Sequence, residues 1–460
     1  MEFMIFMMRP KSHSYNSKSH INYIKNYTYE YNTNNKEGYA KDSIYALRMP
    51  VIIQSDHTVW ELGSLYLQYL MIEKSLGQSS LESTASDLLD FLKFMEHSGL
   101  EILHLPNEKH ERVTYRYKAS LAQRIRQSRI KPSTANVRIN KVMRLYDFCI
   151  ANQLFHRDSL RNYPYSIIKY RYLVPLDYGG TFEKEIVSSD LAFRVPKRQV
   201  SADEIMDGGA LHPLNEIEQN LVKQYLRDKA SREFQLICYL ALFSGARIQT
   251  VCTLRVFNIK NLKKNNPDSF DDAYALKVGS NTVVDTKNGT NLTLKIPSWL
   301  ADELLAYTNS LAWKERAKLS YYGISDQNYL FLTSRGNAYY TSLKEIEDRR
   351  ISNSLHGFKQ SRGLSVRIHI NQMLKKLNEE EIRVNPFTFH DLRATFGLNT
   401  LKLMIHCGFS NDHAILYLKE HMGHRYIHTT MRYLEYASFT SNVVDANTSF
   451  SEALNQYNSR

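Results

Sequence analysis

Residues 420–436 have the sequence EHMGHRYIHTTMRYLEY, which places three histidines and three tyrosines in one short run. His421, His424 and His428 are spaced so that one continuous helix could present all three as metal ligands. Gly423 argues against such a helix, because glycine destabilises a helix interior. The stretch alone leaves three interpretations open: metal ligands, packing residues, or partners of a reactive tyrosine.

The composition of the chain is that of a folded protein with two or three domains. It has 460 residues, of which 43% are hydrophobic and 23% are charged. The four cysteines are scattered without a CxxC pair, which favours a reduced, cytoplasmic setting over a disulfide framework. The apolar start MEFMIFMMR is shorter than the roughly 20 residues of a membrane span and lacks a signal-peptide pattern. We therefore expect neither export nor membrane contact.

Positive charge is concentrated in one segment of the chain. The net charge is +12, and residues 111–144 contain ten Lys or Arg but a single acid, Glu111. Such a segment suits a polyanion, because cations that neutralise phosphates release counterions; the alternative is a solvated basic face. The candidates for DNA contact are Arg124, Arg126, Arg129, Lys131, Arg138, Lys141 and Arg144, together with Lys197 and Arg198 further along the chain.

The pattern of the chain predicts five segments. Residues 1–55 are rich in Tyr, Asn, Lys and Ser without sustained periodicity, so we expect a loosely ordered extension with at most a short strand near MPVIIQ. Residues 56–160 show helical periodicity and predict an all-α, DNA-binding domain. Residues 161–210 mix Pro, Gly and Tyr and predict a connection. Residues 211–440 predict a second, catalytic domain, and residues 441–460 a tail that could contact a neighbouring protomer.

The second domain should be mainly α-helical with a small antiparallel β-sheet. The segments YALKVG, TVVDT and NLTLKIP have strand-like sequences, and Asn288-Gly289 between the last two is a strong hairpin signal. The sequence before and after these predicted strands has the periodicity of α-helices.

Four residues outside the opening stretch could carry chemistry, although each also has an ordinary interpretation. Arg247 follows a Ser-Gly pair at the start of a helix and either points outward or holds an anion. Lys287 precedes the Asn-Gly turn and is either solvated or delivers a proton. His390 and Arg393 are three residues apart and share a helix face. A histidine can transfer protons near neutral pH, and an arginine can hold two phosphate oxygens.

The order of these features resembles the tyrosine recombinases, the phage integrase family. The first arginine motif of that family is similar to SGARIQTVCTLR (244–255), and the second to HDLRATFG (390–397). Its Gly-His, Thr-Thr and Tyr series is similar to MGHRYIHTTMRYLEY (422–436). The resemblance extends from about residue 211 to 436, and more loosely to the basic helical domain. It implies a two-domain clamp around double-stranded DNA.

The resemblance also implies a role for each candidate. Tyr433 would be the nucleophile, nine residues after His424 as the family pattern requires, whereas Tyr426 and Tyr436 would be packing or surface residues. The other roles are Arg247 and Arg393 on the scissile phosphate, Lys287 as general acid, His390 for the tyrosine proton or the phosphate, and His424 as a further hydrogen-bond donor. A phenol nucleophile with cationic donors needs neither a metal nor another cofactor.

The implied function is site-specific DNA cleavage and rejoining through a 3′-phosphotyrosyl intermediate, without ATP. The implied assembly is a homotetramer on two DNA sites, with possible accessory DNA-bending or element-encoded proteins. One departure is Thr250, which stands where the family usually has an acid. Two alternatives therefore stay open: a DNA-binding accessory protein of the same fold that no longer cuts, and, more distantly, a metal-dependent nuclease.

Overall fold

The computed structural model describes residues 15, 17–30, 43–155, 162–175, 181–195, 204–264 and 272–439. The chain forms two compact units, residues 1–197 and 198–460. The predictions for Lys197, Arg198 and the tail at 441–460 lie outside the described residues.

The described part of the first unit combines four α-helices with two β-hairpins. Its elements are β1 (His20–Glu30), β2 (Ser43–Ile53), α1 (Glu61–Ile72), α2 (Gln78–Ser98), α3 (Val113–Arg126), α4 (Pro132–Ala151), β3 (Ile167–Pro175) and β4 (Thr181–Ser189). The apolar face of α4 is buried, with Ile139 and Tyr146 fully enclosed between the helices. Leu88 of α2 and Tyr117 of α3 pack in the same core.

The described part of the N-terminal segment, residues 15, 17–30 and 43–55, is more ordered than we expected for residues 1–55. β1 and β2 each have 11 residues and pair antiparallel, with His20 opposite Ile53. Ala46, Met49 and Ile52 of β2 are buried in the core with α1 and α2. The tyrosines that make this segment look polar are good strand formers, and the strand pairing joins residues that are far apart in sequence.

Residues 161–210 also differ from the plain connection that we expected. They contain the β3–β4 hairpin and a second, short hairpin formed by β5 (Ile205–Met206) and β6 (Ala210–Leu211). The run from Ile167 to Val174 is rich in β-branched and aromatic residues, which favour strands.

The second unit, which begins with β5 and β6, is mainly α-helical with a small antiparallel sheet, and this confirms the predicted fold class. Its further elements are α5 (Glu216–Asp228), α6 (Arg232–Ser244), α7 (Ile248–Thr253), α8 (Val256–Lys260), β7 (Lys263–Lys264), β8 (Ala273–Val278), β9 (Leu292–Pro297), α9 (Ser298–Asn309), α10 (Leu311–Lys318), α11 (Leu343–Ile351), α12 (Leu364–Glu379), α13 (Phe389–His406) and α14 (Asn411–Met422). Residues 427–439 form a last helix. No described helix is long and apolar enough to cross a membrane.

The sheet has the order β7-β8-β9, and one predicted strand in it is wrong. β8 and β9 are paired from Val278 opposite Leu292, and residues 279–291 form a long connection. The sequence TVVDT lies inside this connection and is not a strand. The Thr282 hydroxyl bonds to the backbone of Gly279, which has a φ of +125°, and this turn ends the pairing early. Asn288 and Gly289 do form a left-handed turn, with φ values of 58° and 66°.

The second unit has two hydrophobic clusters, and the smaller one supports the candidate site. It joins the β5–β6 hairpin, α13, α14 and the last helix, and its buried members are Ile205, Leu211, Ala394, Leu401, Met404, Ala414, Leu418, Met422 and Tyr433.

Candidate active site

The N-terminal end of α13 carries His390 and Arg393. Thr388 caps this helix, and Asp391 completes a capping box by accepting hydrogen bonds from the backbone and hydroxyl of Thr388. Asp391 also accepts a hydrogen bond from the backbone N–H of His212, at 2.7 Å. The segment that follows β6 is thereby fixed to the start of α13.

Arg393 joins the ends of two other helices. Its side chain is only 2% exposed, and its Nη1 and Nη2 donate to the carbonyls of Gly245 and Met422. These residues lie at the C-terminal ends of α6 and α14, where unpaired carbonyls favour a cation. Both ends are shaped by left-handed glycines, Gly245 (φ +67°) and Gly423 (φ +59°). Arg393 therefore holds the two helix ends together.

The turn at Gly423 also places His424 and Tyr433. It ends α14 and directs His424 inward, where its Nδ1 accepts from the Thr430 hydroxyl at 3.0 Å. Tyr433, on the last helix, is fully buried. Its ring fits because residue 397 is glycine: a Cβ there would lie 2.6 Å from the Tyr433 ring.

Asp207, at the tip of the β5–β6 hairpin, stands at the centre of these groups. Its Oδ2 accepts from His424 Nε2 at 3.1 Å and from the Tyr433 hydroxyl at 3.3 Å, and lies 3.7 Å from Arg393 Nε. The Asp207 carbonyl lies 3.1 Å from His390 Nε2. Asp207 was not among the predicted site residues, because the local Asp-Gly-Gly sequence does not reveal what the aspartate side chain contacts.

Burial and charge set the protonation of this cluster. Burial would raise the pKa of Asp207, but the hydrogen bond from His424 and the charge of Arg393 bring that pKa well below its usual range. Burial lowers the pKa of His424 despite Asp207, and it raises the pKa of Tyr433 well above the ordinary value. Burial and the charge of Arg247 lower the pKa of Arg393 to about 10. Near neutral pH the cluster therefore contains an ionised Asp207, a neutral His424 and a protonated Tyr433.

Arg247 and Lys287 lie at the edge of the cluster. Arg247 precedes α7 and is half-buried, and its side chain makes no hydrogen bond or ion pair within the part of the chain that the structure describes. It lies two residues after Gly245, whose carbonyl accepts from Arg393, and its charge contributes to lowering the pKa of His390, Arg393 and His424. Lys287 is exposed, and a Cβ on Gly208 would lie 3.8 Å from its Nζ.

The structure thus brings all six residues predicted for the catalytic site to one end of the second unit, around Asp207. The other histidines of residues 420–436 point elsewhere: His421 bonds to the Tyr417 carbonyl at 2.7 Å, and His428 stacks on Tyr426. Among the described residues, no group of three or more His, Cys, Asp or Glu side chains could hold a metal ion.

In the first unit, the residues predicted to contact DNA fall into two groups. Arg124, Arg138 and Lys141 are partly buried and form ion pairs with Asp87 or Asp90 at 2.7–3.4 Å. The second group is exposed and forms no ion pair with any residue that the structure describes; its members are Arg126, Arg129, Lys131 and Arg144. Only this second group has its charge available to an external anion.

The two groups should respond differently to mutation. In the Arg129→Ala/Lys131→Ala variant we expect weaker binding of duplex DNA. The slope of the logarithm of the association constant against the logarithm of the salt concentration should be shallower by about 2, since each phosphate contact contributes about 0.9 to that slope. Its melting temperature should not change. The matched variant Arg124→Ala/Arg138→Ala leaves Asp90 without its two arginine partners, although the Tyr117 hydroxyl still donates to it, so this variant should lose thermal stability instead. Fluorescence anisotropy over a salt series measures the binding, and equal salt slopes in the two variants would contradict the grouping.

The buried histidines should make the second unit sensitive to mild acid. The folded state lowers the pKa of His390 and His424, so the unfolded state binds more protons below the ordinary histidine pKa of about 6.5. The free energy of unfolding should therefore fall as the pH drops below about 6.5, by at most about 1.4 kcal/mol per pH unit for each histidine. Urea unfolding from pH 7.5 to 5.5 measures this. His424→Asn should reduce the slope, whereas His413→Asn, at an exposed position of α14, should retain it.

Comparisons with known proteins give structural likeness only. No protein-family model and no curated protein matches the chain. The solved structures similar to it include a Tn1549 transposon integrase in complex with a circular intermediate DNA, with 13% identity and a TM-score of 0.47 over 81% of this chain and 94% of that one. The XerH site-specific recombinase bound to difH has 12% identity and a TM-score of 0.44 over 85% of each chain. A lambda integrase dimer bound to a core site also has 12% identity and a TM-score of 0.44, over 81% of this chain and 94% of that one. These three proteins are tyrosine recombinases, the family that the motifs of this chain resemble.

Proposed function

We propose that the protein is a site-specific DNA recombinase or integrase that cleaves and rejoins double-stranded DNA through a 3′-phosphotyrosyl intermediate. The observation that carries this proposal is that the Tyr433 hydroxyl and the donors of His424 and Arg393 surround one anionic oxygen. A nucleophile with a cation and a further hydrogen-bond donor around a single oxyanion is what attack on a phosphodiester requires.

In the proposed reaction, the Tyr433 oxygen attacks the scissile phosphorus and the bond to the 5′ oxygen breaks. Arg247 and Arg393 stabilise the charge on the phosphorane oxygens, and His424 donates a further hydrogen bond. Lys287 gives its proton to the leaving 5′ oxygen, and His390 accepts the phenol proton. A 5′ hydroxyl from a second strand then attacks the phosphotyrosine and releases Tyr433.

This chemistry needs neither ATP nor a metal, because the phosphotyrosyl bond retains the energy of the broken phosphodiester and the positive charge comes from side chains. The partners that we propose are duplex DNA, three further copies of the chain on two DNA sites, and possible accessory DNA-bending or element-encoded proteins. The proposed location is the cytoplasm, on the nucleoid when DNA is bound.

Covalent trapping tests the proposal. The protein is incubated in EDTA with a set of overlapping nicked duplexes that together cover the DNA on either side of the gene. Denaturing gels then reveal protein that is covalently attached to DNA. We expect an adduct that survives EDTA and maps by mass spectrometry to the peptide containing Tyr433. Retained DNA binding without any adduct would support the accessory protein of the same fold, and an adduct-free cleavage that requires added Mg²⁺ would support a nuclease.

A further inference from the structure

The Asp207 side chain occupies the position where the proposed site would hold an anion. Its Oδ2 receives two hydrogen bonds, from His424 and from Tyr433, and lies 3.7 Å from Arg393 Nε. These are the groups that the proposed function assigns to the scissile phosphate. A phosphate oxygen needs the same donors, and a second negative charge beside the carboxylate would be repelled. The carboxylate and a DNA phosphate therefore exclude each other.

Asp207 could instead be a base that activates Tyr433, but the charges argue against this in the described arrangement. Burial raises the pKa of Tyr433, and the interactions with His424 and Arg393 lower the pKa of Asp207 far below it. The proton therefore stays on the phenol, and a carboxylate that is so well stabilised is a poor acceptor.

The hairpin that carries Asp207 is built so that its tip can move while its base stays fixed. Ile205 and Leu211, at the base, are buried in the smaller hydrophobic cluster. The tip is the turn Gly208-Gly209, closed by a hydrogen bond from the Asp207 N–H to the Gly209 carbonyl at 3.1 Å. Two glycines allow many backbone conformations, so the side chain can leave without unfolding the cluster.

We propose that Asp207 is an internal competitor of the DNA phosphate, which keeps the site closed until DNA displaces it. This inference rests on the proposed function for the identity of the ligand. In the closed state Asp207 neutralises the buried Arg393 and holds the Tyr433 hydroxyl. Entry of a phosphodiester transfers these donors to the phosphate and frees the nucleophile.

Binding of inorganic phosphate tests the proposal without any DNA cleavage. Asp207→Asn removes the charge but keeps the shape of the side chain, and we expect it to bind phosphate about tenfold more tightly than the wild type, because the open state no longer competes with a closed one. The matched control is Asp326→Asn, which removes the same charge from an exposed pair with Lys260 and should bind like the wild type. Isothermal titration calorimetry at low ionic strength measures both.

Two further variants make the result specific to the site. Asp207→Ala should show the same gain, and it replaces Asp207→Asn if that variant does not fold. Adding Arg393→Ala to Asp207→Asn should abolish the gain. Phosphate binding by the Asp207 variants that is no tighter than by Asp326→Asn, or a gain that survives the loss of Arg393, would overturn the proposal. If the wild type forms a covalent adduct with DNA but the Asp207 variants gain no phosphate affinity, only the internal-competitor proposal is rejected. If the Asp207 variants gain phosphate affinity but the wild type forms no adduct, only the proposed recombinase activity is rejected.

Discussion

Tyr433→Phe is expected to abolish the covalent adduct with nicked DNA while leaving the protein folded and able to bind DNA. The substitution removes the only protein atom that the proposed reaction joins to phosphorus. It also removes one hydrogen bond, at 3.3 Å to the ionised Asp207, which should cost about 1.5–3 kcal/mol of stability. Denaturing gels and a thermal melt on the same preparation separate loss of chemistry from loss of fold.

Two neighbouring tyrosines serve as matched controls for this result. Tyr426 is 55% exposed and stacks on His428, and Tyr436 lies on the last helix three residues after the proposed nucleophile. Their phenylalanine variants should form the adduct at the wild-type level. An adduct that persists in Tyr433→Phe but disappears in one of these variants would identify the tyrosine changed in that variant as the nucleophile.

Arg393→Ala is expected to damage both stability and chemistry. The buried Asp207 would lose its neighbouring cation, and breaking a buried ion pair costs about 3–5 kcal/mol. The carbonyls of Gly245 and Met422 would lose their donor at the same time. Loss of a positioned cationic donor should also slow DNA cleavage by about a hundredfold to a thousandfold. Urea unfolding and single-turnover cleavage measure the two effects.

Arg393→Lys tests whether the shape of the guanidinium matters. A lysine keeps the charge, so it should recover part of the stability, but a single ammonium cannot reach both helix ends as the forked guanidinium does. Cleavage should therefore remain well below the wild type. Full activity in the lysine variant would show that only the charge of residue 393 is needed.

Much of the candidate site could be predicted because its residues lie in short local motifs. The pair at His390 and Arg393 needs only a helix, and Gly423 correctly indicated that the helix before it does not continue through residues 420–436. Asp207 could not be found in this way. It is more than two hundred residues from Tyr433, and no local pattern states that the two side chains meet.

The fold was predictable to a similar degree. Helices with a clear apolar stripe, such as α4, were evident, because a helix is specified by neighbours in sequence. The β1–β2 hairpin and the true ends of the β8–β9 pair depend on contacts between distant residues and on side-chain bonds in turns. Which of the arginines and lysines in residues 111–144 are exposed could also not be predicted from the sequence, since it depends on where Asp87 and Asp90 lie.

The helix after Gly423 belongs to the same hydrophobic cluster as α13. This bears on which subunit of the proposed assembly would supply the nucleophile to each site. Tyr433 packs beside Gly397 of its own chain, and its hydroxyl donates to Asp207 of that chain. In the proposed assembly, every subunit would therefore carry its own complete set of the proposed reacting groups. Subunits would then cooperate by controlling when each site opens, and not by lending one another a missing part.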